Sequence, residues 1–388
     1  MIQKFRGWGR SVRRAVSKWY NEHHSLEYQV TKYRNRNGWT HRDVLRKAHV
    51  KPASDEVASI LKWCVSGEVS GGSFIKAMSQ TVDVNATVKL IESAGLAREH
   101  VPQEHLSDVR VWDALSQEMP MTALIRNLGK MSSIGLIKPL SKTSEMIASL
   151  LRNAEKIRKS RIHPFSVLLA LKTYSDGRGF RGSLTWNVDN VILDALNSCY
   201  HLSFKNIEPT GKRFLFGIDV SGSMGATINN TNVQCREAAA ALAMASIRVE
   251  DRTHCVGFTA VGPGWSSGTK LTELAFSKQD TLQTVLQRTS GLSFGRTDCA
   301  LPMIYAKDNN LEVDCFVVVT DNETYAGNIH PSEALNQYRK SSGIDAKLVV
   351  CGMTATGFTI ADPADAGMLD IVGFDASGPK VISEFAAN

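Results

Sequence analysis

Past Glu208-Pro209-Thr210-Gly211 the hydrophobic pattern changes period, and this switch limits the chain to a small set of folds. Apolar runs at 214–218, 255–258, 315–319 and 347–351 read as strands. Stretches with helical spacing, at 233–249, 300–306 and 331–340, fall between them. Strand and helix in alternation predict an α/β, Rossmann-like architecture, a parallel sheet with helices on both faces. Residues 1–208 show no such alternation and read as helix after helix, without convincing strand pairs. A domain boundary is therefore expected near 209, giving modules 1–208 and 209–388.

The helical half begins with Val12, Ala15, Val16, Trp19 and Tyr20 at i, i+3, i+4, i+7 and i+8, the stripe of a core-facing helix. On that pattern Trp19 is expected in the core. Arg10, Arg14 and Lys18 run along another face. A second helix opens at Thr40, with Asp43 placed to favour its N-terminal amides, and stops before Lys51-Pro52. Further helices are expected near 54–65, 84–98, 107–118, 120–131, 143–157, 164–174 and 189–199, the sixth opened by Pro164. Serial helices of this kind suggest a helical-repeat array rather than a bundle.

With 388 residues there is room for two or three domains. Hydrophobic residues at 43% and charged residues at 21% argue against disorder. No apolar run approaches the roughly 18–20 residues that span a bilayer, and MIQKFRGWGR lacks the apolar run of a signal peptide. The seven cysteines contain no C-x-x-C pair and are odd in number, which argues against a zinc site or a disulfide framework. A reducing compartment is expected, the cytoplasm first, with the nucleus also open. The net charge of +7 is unevenly spread. Residues 1–212 carry 32 Lys and Arg against 19 Asp and Glu, and residues 213–388 carry 13 against 19. A basic half suits a polyanion, and an acidic half suits a cation.

Asp219-Val220-Ser221-Gly222-Ser223 follows directly on the first strand of the second half. This D-x-S-x-S pattern, that of a metal-ion-dependent adhesion site, puts two hydroxyls on one turn at the carboxyl end of a sheet, where open α/β sheets bind ligands. Thr297 precedes a helix and Asp321 follows a strand, so three distant segments each bring an oxygen donor. The chemistry suits Mg²⁺, which takes near-octahedral oxygen and keeps some waters. Taken singly these residues are ordinary turn and cap residues; their joint occurrence is what points to a metal. No histidine or general base is placed for hydrolysis, so binding is expected rather than turnover, and a metal-assisted phosphoryl hydrolase is disfavoured.

Residues 1–53 hold 13 Lys and Arg against Glu22, Glu27 and Asp43, the densest positive stretch of the chain. Arg42, Arg46 and His49 fall on one helical face. Tyr28, Tyr33 and Trp39 are interleaved and suit stacking on unpaired bases. A second cluster, Lys156, Arg158, Lys159 and Arg161, fits either the same polyanion path or a solvated loop.

With both halves in view, the chain resembles the Ro autoantigen family, RNA-binding proteins that combine a TROVE module with a von Willebrand A domain. The resemblance rests on RGWGRSVRRAVSKWYNE, VTKYRNRNGWTHRDVLRKAHVKP, QEMPMTALIRNLGKM and RIHPFSVLLALKTY in the helical half. In the second half it rests on PTGKRFLFGIDVSGSM, TDNETYAGNIHP and LVVCGMTATGFTIADP. It implies an α-helical module of HEAT-like repeats arranged as a ring that the A domain closes. It implies an outer basic surface for small non-coding Y RNAs and a central hole for the 3′ ends of misfolded small RNAs. Carried over motif by motif, it puts Y RNA contacts on Lys32, Arg36 and His49, to which charge and spacing add Arg42, Arg46, Arg10 and Arg14. It puts the metal on Asp219, Ser221, Ser223, Thr297 and Asp321. Family members begin with further repeats, so this chain is expected to start within the module and to lack its N-terminal part. The expected role is a non-catalytic ribonucleoprotein component in RNA quality control, with neither a membrane partner nor DNA specificity. The alternative is a metal-dependent protein-interaction module without RNA binding, taking a partner's carboxylate on the Mg²⁺.

Overall fold

A computed structural model describes all residues except 1–7, 69–73, 82, 181, 229–230, 259–270, 291–296, 322–327, 355–359 and 374–376. Parts of the family-like strings, and Gly295-Arg296 before Thr297, lie outside the described residues. The chain forms two compact units, Met1–Leu124 with Met131–Ile137, and Ile125–Lys130 with Lys138–Asn388.

The first unit is built from short helices, α1 (Arg10–Glu22), α2 (Leu26–Lys32), α3 (His41–Ala48), α4 (Asp55–Ser66), α5 (Phe74–Ser79), α6 (Val84–Ala94) and α7 (Val109–Gln117). Their starts follow local chemistry. Thr40 and Asp43 form a reciprocal capping box on α3, Asp43 Oδ2 accepting from the Thr40 amide at 3.0 Å and from its hydroxyl at 2.6 Å. Ser54 and Asp83 cap α4 and α6 through their side chains. Tyr20, Leu26, Val30, Leu45, Ile60 and Leu61 make one core in which α1, α2, α3 and α4 meet.

Two expectations fail here. A hairpin, β1 (Asn35–Arg36) and β2 (Trp39–Thr40), stands just before the helix expected at Thr40, in a half where no strand pair was expected. Its turn is Asn37-Gly38, both at positive φ (52° and 78°), the type I′ pair that matches the twist of two antiparallel strands. The α1 stripe is also only half buried. Tyr20 lies 2% exposed and Val16 is half-buried, while Val12 and Trp19 are 45% and 41% exposed. The apolar arc is wider than the neighbours that receive it, so Trp19 is no core residue.

The helix α8 (Met121–Ser133) is divided between the units; in the second, α9 (Lys142–Arg152), α10 (Ala154–Ser160) and α11 (Pro164–Ser175) each pack with α12 (Asn190–Ser203). The helix expected over 143–157 is in fact two, because Asn153 turns out of α9 and its Oδ1 accepts from the Lys156 amide at 2.9 Å to cap α10.

After the linker come β3 (Phe214–Asp219), α13 (Cys235–Val249), β4 (Thr253–Phe258), β5 (Leu271–Glu273), α14 (Leu282–Ser290), α15 (Leu301–Asp308), β6 (Cys315–Thr320), α16 (Pro331–Ser342), β7 (Lys347–Gly352), β8 (Met368–Val372) and α17 (Gly378–Ala387). The sheet order is β5-β4-β3-β6-β7-β8. All its pairs are parallel except β4–β5, so the sheet is mixed, with one short antiparallel edge strand. Three residues of Leu-Thr-Glu carry too little apolar signal to announce that edge. Every residue of β3 and β6 is buried, as central strands covered on both faces must be. The alanines of α13 are buried from Ala238 to Ala241, and small side chains let this helix lie close on the sheet.

Within this unit the helices before the linker are tied to the α/β layer. Lys172 of α11 meets Glu237 of α13 at 2.7 Å. Arg248 of α13 bonds the His201 ring of α12 at 3.0 Å and covers the Phe204 ring. The change of secondary structure at 208/209 thus falls inside the second unit. At the linker itself, buried Glu250 accepts from the Thr210 amide and hydroxyl and from the Gly211 amide, at 2.7–3.0 Å.

Candidate functional site

Two sites emerge, one in each unit. The first is the positive surface around the hairpin. Arg10 and Arg14 are exposed on α1, Lys32 ends α2, Arg36 stands on β1, and Arg42 and Arg46 are exposed on α3. His49 is the exposed left-handed residue that ends α3 (φ 53°), its amide bonded to the Leu45 carbonyl at 2.9 Å.

Elements rather than single residues bring these side chains together. The chain runs straight from the hairpin into α3 through the Thr40 cap, and α1 packs on α3, with the Tyr20 hydroxyl 2.6 Å from His41 Nδ1. Lys32 and Arg36 flank one ring: Lys32 Nζ lies 5.5 Å and the Arg36 guanidinium 4.9 Å from the centre of Tyr33. Lys32 also sits 5.2 Å from the Tyr28 ring. Such cation–π contacts fix the stems while leaving the charges for an anion. Arg34 over Trp63 and Lys47 over Trp39 repeat the arrangement, and neither was singled out from the sequence.

Carboxylates do not neutralise this surface. Among the described residues up to 53, Lys18 with Glu22, at 3.6 Å, is the ion pair that forms. Asp43 is occupied by its cap; hydrogen bonds from Thr40 hold its carboxyl below the ordinary value, with Arg46 and Arg42 adding a smaller effect. Positive charge left in solvent favours a polyanion with its counterions to release.

The second basic cluster, Lys156, Arg158, Lys159 and Arg161, belongs to the other unit, on or just after α10. It is exposed, and Lys159 is within 3.9 Å of Glu155.

The second site lies at the carboxyl end of β3. Asp219, 1% exposed, accepts on Oδ1 from the Ser221 amide at 2.8 Å. Its Oδ2 accepts from the Thr320 hydroxyl at 2.8 Å and from the Thr297 hydroxyl at 3.3 Å. The Ser221 and Ser223 hydroxyls are 2.9 Å apart. Strand pairing of β3 with β6 sets Asp321 beside this group, and its backbone carbonyl takes the Thr354 amide and hydroxyl. The five residues read from the sequence are therefore gathered in one place. Thr320 is the residue missed; its position, last in an apolar strand and next to Asp321, was the available signal.

Burial first, and the nearby charge of Asp321 as well, raise the Asp219 carboxyl above its ordinary value against the bonds that hold it ionised. Among the described residues no group of three or more His, Cys, Asp or Glu could hold a metal. Here the donors are hydroxyls around one or two carboxylates, an all-oxygen set of the kind a hard divalent cation takes. The cysteines are free thiols, six of them buried, and burial pushes Cys235 up to about 11.

Comparison with known proteins agrees with both halves. The TROVE domain family matches residues 1–82 and 88–176, and the Ro60 vWA domain family matches residues 213–386. A protein of Caenorhabditis elegans named RNA-binding protein RO60 is 38% identical over 98% of this chain and 66% of its own length. One of the same name from Deinococcus radiodurans is 37% identical over 98% of this chain and 72% of its own. The crystal structure of the Deinococcus radiodurans Ro protein superposes with a TM-score of 0.85 at 36% identity, covering 98% of this chain and 78% of that one. The chain thus spans only part of the length of these relatives, and nearly all of it lies within what they share. Shared sequence over nearly all of its length and a shared fold place the chain in the Ro60 family, a TROVE module joined to a vWA domain.

Proposed function

We propose that this chain is a non-catalytic RNA-binding protein of a small ribonucleoprotein, taking Y-type RNAs and misfolded small non-coding RNAs for their stability and quality control. The observation that carries this reading is the exposed basic surface of α1, the hairpin and α3, where Lys32, Arg36 and Lys47 lie over aromatic rings and Lys18 with Glu22 is the ion pair among the described residues up to 53. Two relatives named RNA-binding proteins support it. Lys32, Arg36 and His49 would contact the RNA, with Arg42, Arg46, Arg10 and Arg14 extending the phosphate path. Such contacts position an RNA by its backbone and shape rather than by its sequence.

In the vWA domain, Asp219, Ser221, Ser223, Thr297 and Asp321 would hold a Mg²⁺ ion. The ion would supply a Lewis-acidic point for an outside carboxylate, such as that of a protein partner. The chain's own residues position that point: β3 and β6 bring the carboxylates together, and the hydroxyls add donors without neutralising the cation.

Lys32→Ala with Arg36→Ala is expected to weaken binding of a structured small RNA and to lower the salt slope of the binding constant by about one for each phosphate no longer neutralised. A filter-binding titration across salt concentrations reads both. An unchanged slope would remove these residues from the RNA surface.

A further inference from the structure

The apolar arc of α1 divides along its length. Val16 and Tyr20 turn toward the core with Leu45 and Ile60, and Val12, Ala15 and Trp19, at i, i+3 and i+7, stay in solvent. Leaving a tryptophan out gives up a large burial, since an aromatic side chain covers roughly 150–250 Å². Yet Trp19 is not loose. Its ring lies 6.3 Å from His41 and within 9° of parallel to it, 5.0 Å from His23, and 4.9 Å edge-on to Tyr20. His41 is itself held by the Tyr20 hydroxyl. Three rings brace a fourth that remains 41% exposed.

The charge of the helices that hold this ring decides what fits it. On its other faces α1 carries Arg10, Arg13, Arg14 and Lys18 against one acid, Glu22, which pairs with Lys18, and α3 adds Arg42, Arg46 and Lys47. A protein surface with acidic side chains would satisfy the charges without using the ring. An RNA single strand uses both, because its phosphates meet the cations and its bases have flat faces that a fixed indole can stack on. A base inside a duplex offers no such face, so the platform discriminates between paired and unpaired RNA.

We propose that Trp19 is a stacking platform for an unpaired base, and that the α1 surface holds a single-stranded segment flanking the structured RNA bound around Lys32 and Arg36. The inference rests on the RNA-binding reading above and goes beyond it, from phosphate attraction to base contact. Stacking reads no base edge, so any of the four bases is accepted.

The test uses the full chain, a blunt RNA hairpin, and the same hairpin with a single-stranded extension carrying 5-iodouridine at successive positions. Irradiation is expected to join the extension to Trp19, located by tandem mass spectrometry of the peptide that follows Lys18. Trp19→Ala is expected to weaken the extended RNA about tenfold, in the range of one stacked base. It should change the blunt hairpin less than twofold, and Trp19→Phe should retain most of the preference. A comparable urea midpoint for the two variants shows that folding is not what changed; if Trp19→Ala unfolds, the crosslink and Trp19→Phe still decide. Equal loss on both RNAs would overturn the proposal, as would crosslinks confined to other rings while Lys32 and Arg36 still govern affinity. So would a change of sedimentation in Trp19→Ala with its preference for the extension intact, which would make α1 a self-association face. Failure of the unaltered chain to bind either RNA would instead overturn the RNA reading itself.

Discussion

Gly217 stands two residues before Asp219 on β3, and a Cβ built there would collide with the ring of Pro302 on α15. The strand that carries the Asp219 carboxylate can approach its covering helix only because this position has no side chain. Gly217→Ala is expected to overpack the contact and cost about 1–3 kcal/mol, read as a lowered urea midpoint at unchanged slope. Full stability would mean that α15 retreats freely. Much of this residue-scale chemistry was legible: the D-x-S-x-S turn, Thr297 and Asp321 announced themselves by type and spacing. Trp19 did not, because helical periodicity tells which residues share a face and not how wide a face the neighbouring helices cover. The same limit hid Arg34 and Lys47, whose rings come from elsewhere in the fold.

Among elements, two arginines help to fasten the α/β layer. Arg213, just before β3, meets Asp314, just before β6, through its guanidinium and its backbone amide, and also reaches Glu312. Arg339 of α16 holds Asp365 ahead of β8. Hydrogen bonds from these arginines hold both aspartates below the ordinary carboxylate value. A carboxyl depressed in the folded state stabilises it at pH values above the unfolded value, and that contribution is lost as pH falls through the folded one. Stability is therefore expected to hold from neutrality to about pH 4 as far as these groups are concerned, and to decline below that. Asp314→Asn should be less stable than the unaltered chain at pH 7 and nearer to it at pH 3 in urea titrations; parallel pH curves would count against the pair. Element limits read from the sequence were close for β6 and β7, where apolar runs give way at Thr320 and Gly352, and for helices that open on a cap. The long helix at 143–157 was misread because Asn153 has acceptable helical propensity and shows its capping role only in three dimensions. The hairpin was missed although Asn37-Gly38 is a strong turn signal, since strands of two residues show no alternation to support it.

At the scale of the whole molecule, the RNA and cation sites proposed here, one in the basic half of the sequence and one in the acidic half, fall in different units. The RNA surface proposed around α1, the hairpin and α3 lies in the first unit, and the oxygen cluster at Asp219 lies in the second. If each binds on its own terms, removing divalent cations affects the second and spares the first. A ligand that binds the folded state alone stabilises it by RT ln(1 + [L]/Kd), about 2.7 kcal/mol at a hundredfold excess over Kd. Added Mg²⁺ is therefore expected to raise the thermal midpoint of the unaltered chain and to leave that of Asp219→Ala or Ser221→Ala unmoved. Affinity for a structured RNA, measured in a chelator at matched ionic strength, should change less than about twofold. Matching matters, because Mg²⁺ also screens phosphates and would otherwise mimic coupling. A midpoint indifferent to Mg²⁺ would remove the cation from the vWA domain. RNA binding that collapsed in chelator would instead make the ion part of the RNA site, since coupling between two ligands is reciprocal and each would then have to report the other.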